Sequence, residues 1–162
     1  MSDECDSFDQ DTVETKTHLT SLEIEAANRC EATTILIRHG YQIYSAMIDV
    51  NGEDIAVRTP DGELLSVQQK SRVVVDKKRY SGKWLLFPGQ GMPFQRKWYL
   101  VEHDKVWEWM FKKHGNATCW GTRNRDWSAE VSRDFAEYFS AHSLTIDNAR
   151  FRNDKKSAKK TT

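Results

Sequence analysis

The spacing of apolar positions in the first third of the chain predicts a helix over residues 21–39. Ser21 is a suitable N-terminal cap, and Gly40 follows the last turn as a stop. One face of this helix carries residues at successive offsets of three and four: Ile24, Ala27, Glu31 and Ile35. An acidic residue therefore stands in an otherwise apolar line, which makes Glu31 a candidate for a functional role.

Strand-like segments follow this helix. Residues 41–46 and 54–58 are predicted strands, separated by a loop at 48–53. The turn Thr59-Pro-Asp-Gly62 then returns the chain antiparallel over residues 63–70. Because side chains alternate along a strand, Leu65 and Val67 face one side, whereas Ser66, Gln68 and Lys70 face the other.

The second half of the chain is interrupted by glycine and proline between Gly82 and Pro93, which predicts loops there. Residues 97–101 form a further predicted strand. A helix is expected over residues 104–113, with Val106, Trp107 and Met110 inward, and a last helix after Ser128. Its apolar stripe comprises Val131, Phe135, Tyr138, Phe139 and His142. The predicted fold is α/β, a mixed β-sheet flanked by helices.

Length and charge define the expected organisation. The chain has 162 residues, which suits one domain, and its 24 basic side chains balance 24 acidic ones. We expect an α/β domain at 21–148, an acidic disordered arm at 1–20 and a basic disordered tail at 149–162. The arm carries six acids against one lysine, and residues 150–162 carry six bases against one acid.

Composition also excludes several classes of protein. No apolar run approaches the length of a membrane span, and the first 20 residues lack the apolar stretch of a secretory signal. The three cysteines are far apart and have no zinc-ligand spacing. Gly89-Gln-Gly91 lacks the lysine and hydroxyl of a phosphate-binding loop, so no nucleotide cofactor is expected. We therefore expect a cytoplasmic protein with no membrane partner.

The predicted hairpin brings candidate chemistry together. Pairing of strand 54–58 with strand 63–70 puts Asp54 near Gln68, within reach of one hard cation. Carboxylate and amide oxygens are ligands that Mg²⁺ takes. A lysine beside the metal, here Lys70, can orient the attacking water or stabilise charge on phosphorus. As separate residues, however, Asp54 is an ordinary turn residue and Gln68 and Lys70 are ordinary surface residues.

The segments Gly52-Glu-Asp54 and Val67-Gln-Gln-Lys70-Ser-Arg72 resemble the PD-(D/E)xK nuclease superfamily. The resemblance implies a restriction-endonuclease-like fold and a DNA endonuclease that uses Mg²⁺ or Mn²⁺. It implies catalytic roles for Glu31, Asp54, Gln68 and Lys70, the first three as metal ligands. Asp49 and Glu53 are alternates for Asp54. Gln68 stands where glutamate is usual, as in the Mrr-like Gln-x-Lys branch.

The resemblance also implies a bacterial or phage enzyme of DNA repair, recombination or defence. A homodimer is expected, since one site cuts one strand. The alternative is a catalytically decayed nuclease fold that acts as a nucleic-acid-binding or assembly module. For DNA contacts, the candidate residues are Arg72, Lys83, Arg96 and Lys97.

Aromatic residues give a second indication of nucleic-acid binding. All six tryptophans lie in the second half, and Lys83-Trp84 and Arg96-Lys97-Trp98-Tyr99 interleave bases with aromatic rings. Packing in the core is the alternative explanation for these rings. Of Trp107 and Trp109, only one can face inward, and the other is a candidate interface residue. His103 is expected to be a structural hydrogen-bonding residue.

Overall fold

The computed structural model describes residues 19–45, 55–115 and 126–146. In chain order, they form α1 (Ser21–Arg38), β1 (Gln42–Ser45), β2 (Ile55–Arg58), β3 (Leu64–Gln69), β4 (Val73–Asp76), α2 (Lys77–Tyr80), β5 (Trp84–Pro88), β6 (Trp98–Glu102), α3 (His103–His114), β7 (Asp126–Ala129), α4 (Arg133–Tyr138), a 3₁₀ turn (Ser140–His142) and β8 (Ser143–Leu144). The predicted loop 48–53 and the acids Asp49, Glu53 and Asp54 lie outside the described residues, as do residues 1–18 and 147–162.

The main sheet is mixed, as predicted. Its strand order is β1-β2-β3-β5-β6-β8, with β3 and β5 parallel and the other neighbours antiparallel. Strands β4 and β7 form a separate antiparallel pair. The predicted single α/β domain with helices around a mixed sheet is thus confirmed. No helix in the described part of the chain is long and apolar enough to cross a membrane.

Two apolar cores cover the two faces of the main sheet. On one face, α1 packs its residues Ala32, Ile35 and Leu36 against the sheet. That core includes the sheet residues Ile55, Val57, Leu65, Val67, Leu86, Trp98 and Leu100. The other face carries Leu85, Phe87, Tyr99 and Val101 and is covered by β4, β7, α3 and α4. Because side chains alternate, neighbouring residues of one strand contribute to different cores.

The first helix has the predicted extent, but its start and its buried face differ from the prediction. Thr20, not Ser21, is the N-cap, because its side chain and Glu23 form a capping box. Burial begins only at Glu31, whereas Ile24 and Ala27 are exposed. The first half of α1 is therefore outside the sheet-facing core. The predicted inward face is correct only from Glu31 onward.

The predicted β2–β3 hairpin, the strand near residue 98 and the helix α3 are all present. Val106, Trp107 and Met110 of α3 are buried, as predicted. The loops expected between Gly82 and Pro93 are wrong for Trp84–Pro88, which form the central strand β5. Strand β4 and helix α2, which precede this segment, were not predicted. The sequences of β4 and β5 are continuous apolar runs, so they lack the alternation of apolar and polar residues that identifies a half-exposed strand.

The last predicted helix begins later than expected. Residues 126–129 pair with β4 as β7, and α4 starts at Arg133 because the Ser132 side chain accepts from the backbone N–H of Phe135. The predicted apolar stripe is correct for Val131, Phe135 and Phe139, which are buried. It is wrong for Tyr138, the last residue of α4, whose surface is 67% exposed.

Candidate functional site

The β2–β3 hairpin gives the register of the candidate site. Ile55 lies opposite Val67, and pairing continues to Arg58 opposite Leu64. Asp54, the predicted partner of Gln68, is outside the described residues, so this pairing stays a prediction. Gln68 and Gln69 then pair with Leu85 and Leu86 of the parallel strand β5. The carboxyl ends of β3 and β5 therefore meet at one edge of the sheet, the usual place for ligand binding in open α/β sheets.

Gln68 is a buried polar side chain at this edge, with 3% of its surface exposed. Its neighbour Val67 belongs to the core beneath α1, so the amide of Gln68 points to the opposite face, beside Leu85. Buried polar groups are uncommon and need a polar environment. Gln68 is therefore not the ordinary surface residue that its sequence context also allowed.

Lys70 follows Gln68 by two residues and shares its face. Its backbone N–H donates to the carbonyl of Leu86 at 2.9 Å, which fixes this residue against β5. The Lys70 ammonium lies 5.2 Å from the ring centroid of Tyr80, a buried residue of α2. Lys70 is half-buried and forms no salt bridge with any described residue. A partly desolvated ammonium without a carboxylate partner is suited to bind an anionic ligand.

Glu31 has a different environment from the one expected. Its carboxylate is 1% exposed and accepts from Arg96, whose Nη2 lies 2.6 Å from Oε2. The backbone N–H of Phe94 donates to Oε1 at 2.8 Å. Burial alone raises the pKa of Glu31, but the hydrogen bonds from Arg96 and the Phe94 amide, together with the Arg96 charge, outweigh it and lower the pKa. The indole Nε1 of Trp98 has no hydrogen bond of good geometry among the described residues, so Arg96 and Phe94 are the main partners.

The structure does not bring Glu31 and Gln68 together. Glu31 lies with Trp98 on the side of the sheet covered by α1, whereas Gln68 faces the other side. Both oxygens of the Glu31 carboxylate are engaged by Arg96 or Phe94. The expectation that Glu31 joins Gln68 as a metal ligand is therefore wrong for this arrangement. The inward position of Glu31 was correctly predicted, but its partner Arg96 lies 65 residues away in sequence.

A cleft of about 400 Å³ opens beside Lys70, between β3 and the first half of α1. Its walls include Gln69 and Ser71 on one side and Glu25, Asn28 and Arg29 on the other. Sequence reasoning missed these three helix residues, because it followed the inward line of α1 rather than the adjacent face. Asn28 and Arg29 follow Glu25 by three and four residues, and this spacing, which puts them on one face of a helix, was the available signal. Asn28 also accepts a hydrogen bond from Arg96 at 2.7 Å, which connects the cleft to the buried ion pair.

The predicted DNA-contacting residues have different positions. Arg72 and Lys97 are exposed, and Lys83 is half-buried at the start of β5. Arg72 and Arg96 line a second cleft of about 310 Å³, which shares Ser71 with the first. The Arg96 guanidinium already binds Glu31 and Asn28, so much of its hydrogen-bonding capacity is used inside the protein. Arg72 and Lys97 remain candidates for phosphate contacts.

The aromatic residues interleaved with these bases belong to the core. Trp98 and Tyr99 are at most 1% exposed, and Trp84 packs against the core beneath α1. The packing explanation is therefore confirmed for these rings. Trp107 is the inward member of its pair, whereas Trp109 is half-buried and lines a separate cleft.

His103 is structural, as predicted. It is fully buried, and its Nε2 accepts from the backbone N–H of Asp76 at 3.1 Å. The neutral ring therefore donates from Nδ1 to Asp104, 3.0 Å away. Burial lowers the pKa of His103, and the Asp104 carboxylate offsets this only in part. A neutral imidazole thus connects β4 to the start of α3.

Within the described ranges, no cluster of three or more histidine, cysteine, aspartate or glutamate side chains is arranged to hold a metal ion. Gln68 supplies an oxygen of the type that Mg²⁺ accepts, while the carboxylates expected beside it lie in the segment 49–54 outside these ranges. No protein-family model, curated protein or solved structure matches the chain.

Proposed function

We propose that the protein is a Mg²⁺-dependent DNA endonuclease whose site lies at the carboxyl end of β3. One observation carries the proposal: the half-buried ammonium of Lys70, which forms no salt bridge with any described residue, shares a face with the buried amide of Gln68. The mixed α/β sheet and the predicted position of Asp54 support the same proposal.

In this proposal, Lys70 binds a non-bridging oxygen of the scissile phosphate and stabilises the charge that develops during attack by water. Such a preorganised charge acts most strongly where water is partly excluded, as it is beside Tyr80. Gln68 and Asp54 would hold the divalent ion, which would lower the pKa of water and neutralise phosphate charge. Arg29 and Arg72, on either side of Ser71, bind neighbouring phosphates.

Glu31 has a supporting role in this proposal. Its carboxylate orients Arg96, and Arg96 in turn holds Asn28 at the wall of the cleft. The pair is a structural connection between α1 and the segment before β6. A direct role in metal binding is not part of the proposal.

The experiment is incubation of supercoiled plasmid and single-stranded DNA with the protein, in Mg²⁺, in Mn²⁺ and in EDTA. We expect cleavage only with a divalent ion. Asp54→Asn should abolish it, because the substitution removes a metal-binding charge while the variant remains folded by circular dichroism. Cleavage that persists in EDTA, or an Asp54→Asn variant with full activity, would contradict the proposal.

A second candidate function is a decayed nuclease fold that binds nucleic acid without cutting it. Two observations favour it: Gln68 brings no negative charge, and the Glu31 carboxylate is occupied by Arg96. Titration calorimetry with Mg²⁺ and Mn²⁺ separates the candidates, since the enzyme should bind the ion and the decayed protein should not.

A further inference from the structure

A third cleft, of about 870 Å³, lies between α3 and the α4 region, and no part of the proposed cleavage site lines it. Its lining combines lysines with aromatic rings: Lys105, Lys112, Lys113, Trp109, Tyr138 and Phe139. On α3, Lys105, Trp109 and Lys113 follow one another at intervals of four residues, so they share one outward stripe of the helix. This size is within the range of ligand-binding clefts.

The aromatic part of this cleft is a fixed platform. Tyr138 packs edge-on to buried Phe139, with ring centroids 4.8 Å apart, and lies 6.0 Å from the Trp109 ring. Trp109 is itself held edge-on to Phe135 at 5.3 Å. Yet 67% of the Tyr138 surface is exposed. A large ring that is supported from below and open above is suited to stack with a planar group.

The charged part of the cleft lining contains more lysines than acids. Three lysines line it, against the acid Glu108. Lys105 pairs with Glu102 at 2.8 Å and Lys113 pairs with Asp134, but these are exposed pairs, which hold their partners weakly. Lys112 is exposed and forms no salt bridge with any described residue. Its ammonium is available for a phosphate.

We propose that this cleft binds single-stranded nucleic acid, with a base stacked on Tyr138 and the backbone phosphates at Lys112 and its neighbours. A positive groove with an exposed aromatic ring is the usual means of binding unpaired strands. The ligand is a single strand rather than a duplex, because a base in a duplex has no free face for the ring. This binding is separate from the proposed cleavage and does not depend on it.

The test uses the full chain in EDTA and fluorescence anisotropy with a labelled 12-nucleotide oligothymidylate. Tyr138→Ala should weaken binding about tenfold, the effect of losing one base–aromatic stack. Lys112→Gln should reduce the salt dependence of log affinity by about 0.7, the value for one phosphate contact on a single strand. Matched controls are Tyr44→Ala, an exposed ring on the edge strand β1, and Lys78→Gln, an exposed lysine on α2.

Equal affinity for Tyr138→Ala and the wild type overturns the proposal, and so does an equal loss in Tyr44→Ala. A change from dimer to monomer in Tyr138→Ala, with strand binding unchanged, overturns it as well and identifies the cleft as a contact between copies. If plasmid cleavage is absent but the Tyr138 effect is present, the proposed nuclease fails while this inference stands.

Discussion

Three polar side chains are buried in the described part of the chain, namely Glu31, Gln68 and His103. His103 and Glu31 each have partners from distant parts of the sequence, so they join elements of the fold. Gln68 differs because it stands at the edge of the sheet where two parallel strands end. At the scale of residues, Glu31 and His103 thus stabilise the fold, whereas we assign Gln68 to the proposed metal site.

Removal of Arg96 should destabilise the protein strongly. The Arg96→Ala variant leaves the buried carboxylate of Glu31 without its charged partner, and a loss of about 3–5 kcal/mol in the free energy of unfolding is expected. Arg29→Ala is the matched control, because its pair with Glu25 is exposed and should contribute less than about 1 kcal/mol. Urea denaturation of both variants checks this, and equal losses would contradict the structural role of the pair.

The same pair predicts a dependence of stability on pH. Since the pKa of Glu31 is lowered in the folded protein, its contribution is complete above the ordinary value of 4.5 and is lost as the pH falls from there through the lower folded value. Glu31→Gln should therefore reduce the slope of unfolding free energy against pH below 4.5. An unchanged slope in this variant would show that another carboxylate carries the acid sensitivity.

Gln68→Glu tests the metal site through stability as well as activity. A carboxylate at this buried position is costly unless a cation neutralises it. We therefore expect the variant to melt at a lower temperature than the wild type in EDTA, to recover with Mg²⁺ and to retain or exceed wild-type cleavage. Calorimetric melting with and without Mg²⁺ is the measurement. No recovery in Mg²⁺ would remove Gln68 from the ligand set.

At the scale of elements, local patterns predicted those parts of the fold that depend on neighbouring residues. The α1 helix, the hairpin closed by Thr59 to Gly62 and the inward face of α3 follow from periodicity and turn chemistry. Strands β4 and β5 were missed because their apolar runs have no alternation, and β7 because its partner β4 is about 50 residues earlier. Arg96, the partner of Glu31, could not be predicted either, because it lies 65 residues later in the sequence.

The start of α4 gives a test at this scale. Ser132→Ala removes the side-chain acceptor for the Phe135 N–H and should cost about 1 kcal/mol of stability. Ser132→Asp should preserve stability, since aspartate is an equally good cap and its charge suits a helix N-terminus. Thermal denaturation of the two variants checks the expectation. An alanine variant as stable as the aspartate variant would contradict the cap.

At the scale of the whole molecule, the predicted mixed α/β domain is present, and the disorder of the acidic arm and the basic tail remains a prediction. The acidic and basic extensions lie almost entirely outside the described residues. Topology beyond the hairpin, in which β5 pairs parallel to β3, could not be predicted, because it depends on contacts between distant segments. That parallel pair is what creates the edge at which Lys70 stands.

Deletion of residues 149–162 should weaken DNA binding at low salt and reduce its salt dependence, because six bases of this segment are available for phosphates. Deletion of residues 1–18, which carry six acids, should strengthen binding if they compete with DNA. Binding isotherms over a salt series compare the full chain with both truncations. Identical salt slopes for all three proteins would show that neither extension takes part.

The most direct test of the proposed nuclease is the rate of Mg²⁺-dependent plasmid nicking by Lys70→Ala, measured beside Lys78→Ala. Both substitutions remove one lysine, but Lys78 is exposed on α2, whereas Lys70 stands at the end of β3. Loss of a preorganised charge at the reacting phosphate should reduce the rate about 100-fold or more in Lys70→Ala. The Lys78→Ala rate should equal that of the wild type. Equal rates for both variants would contradict the account.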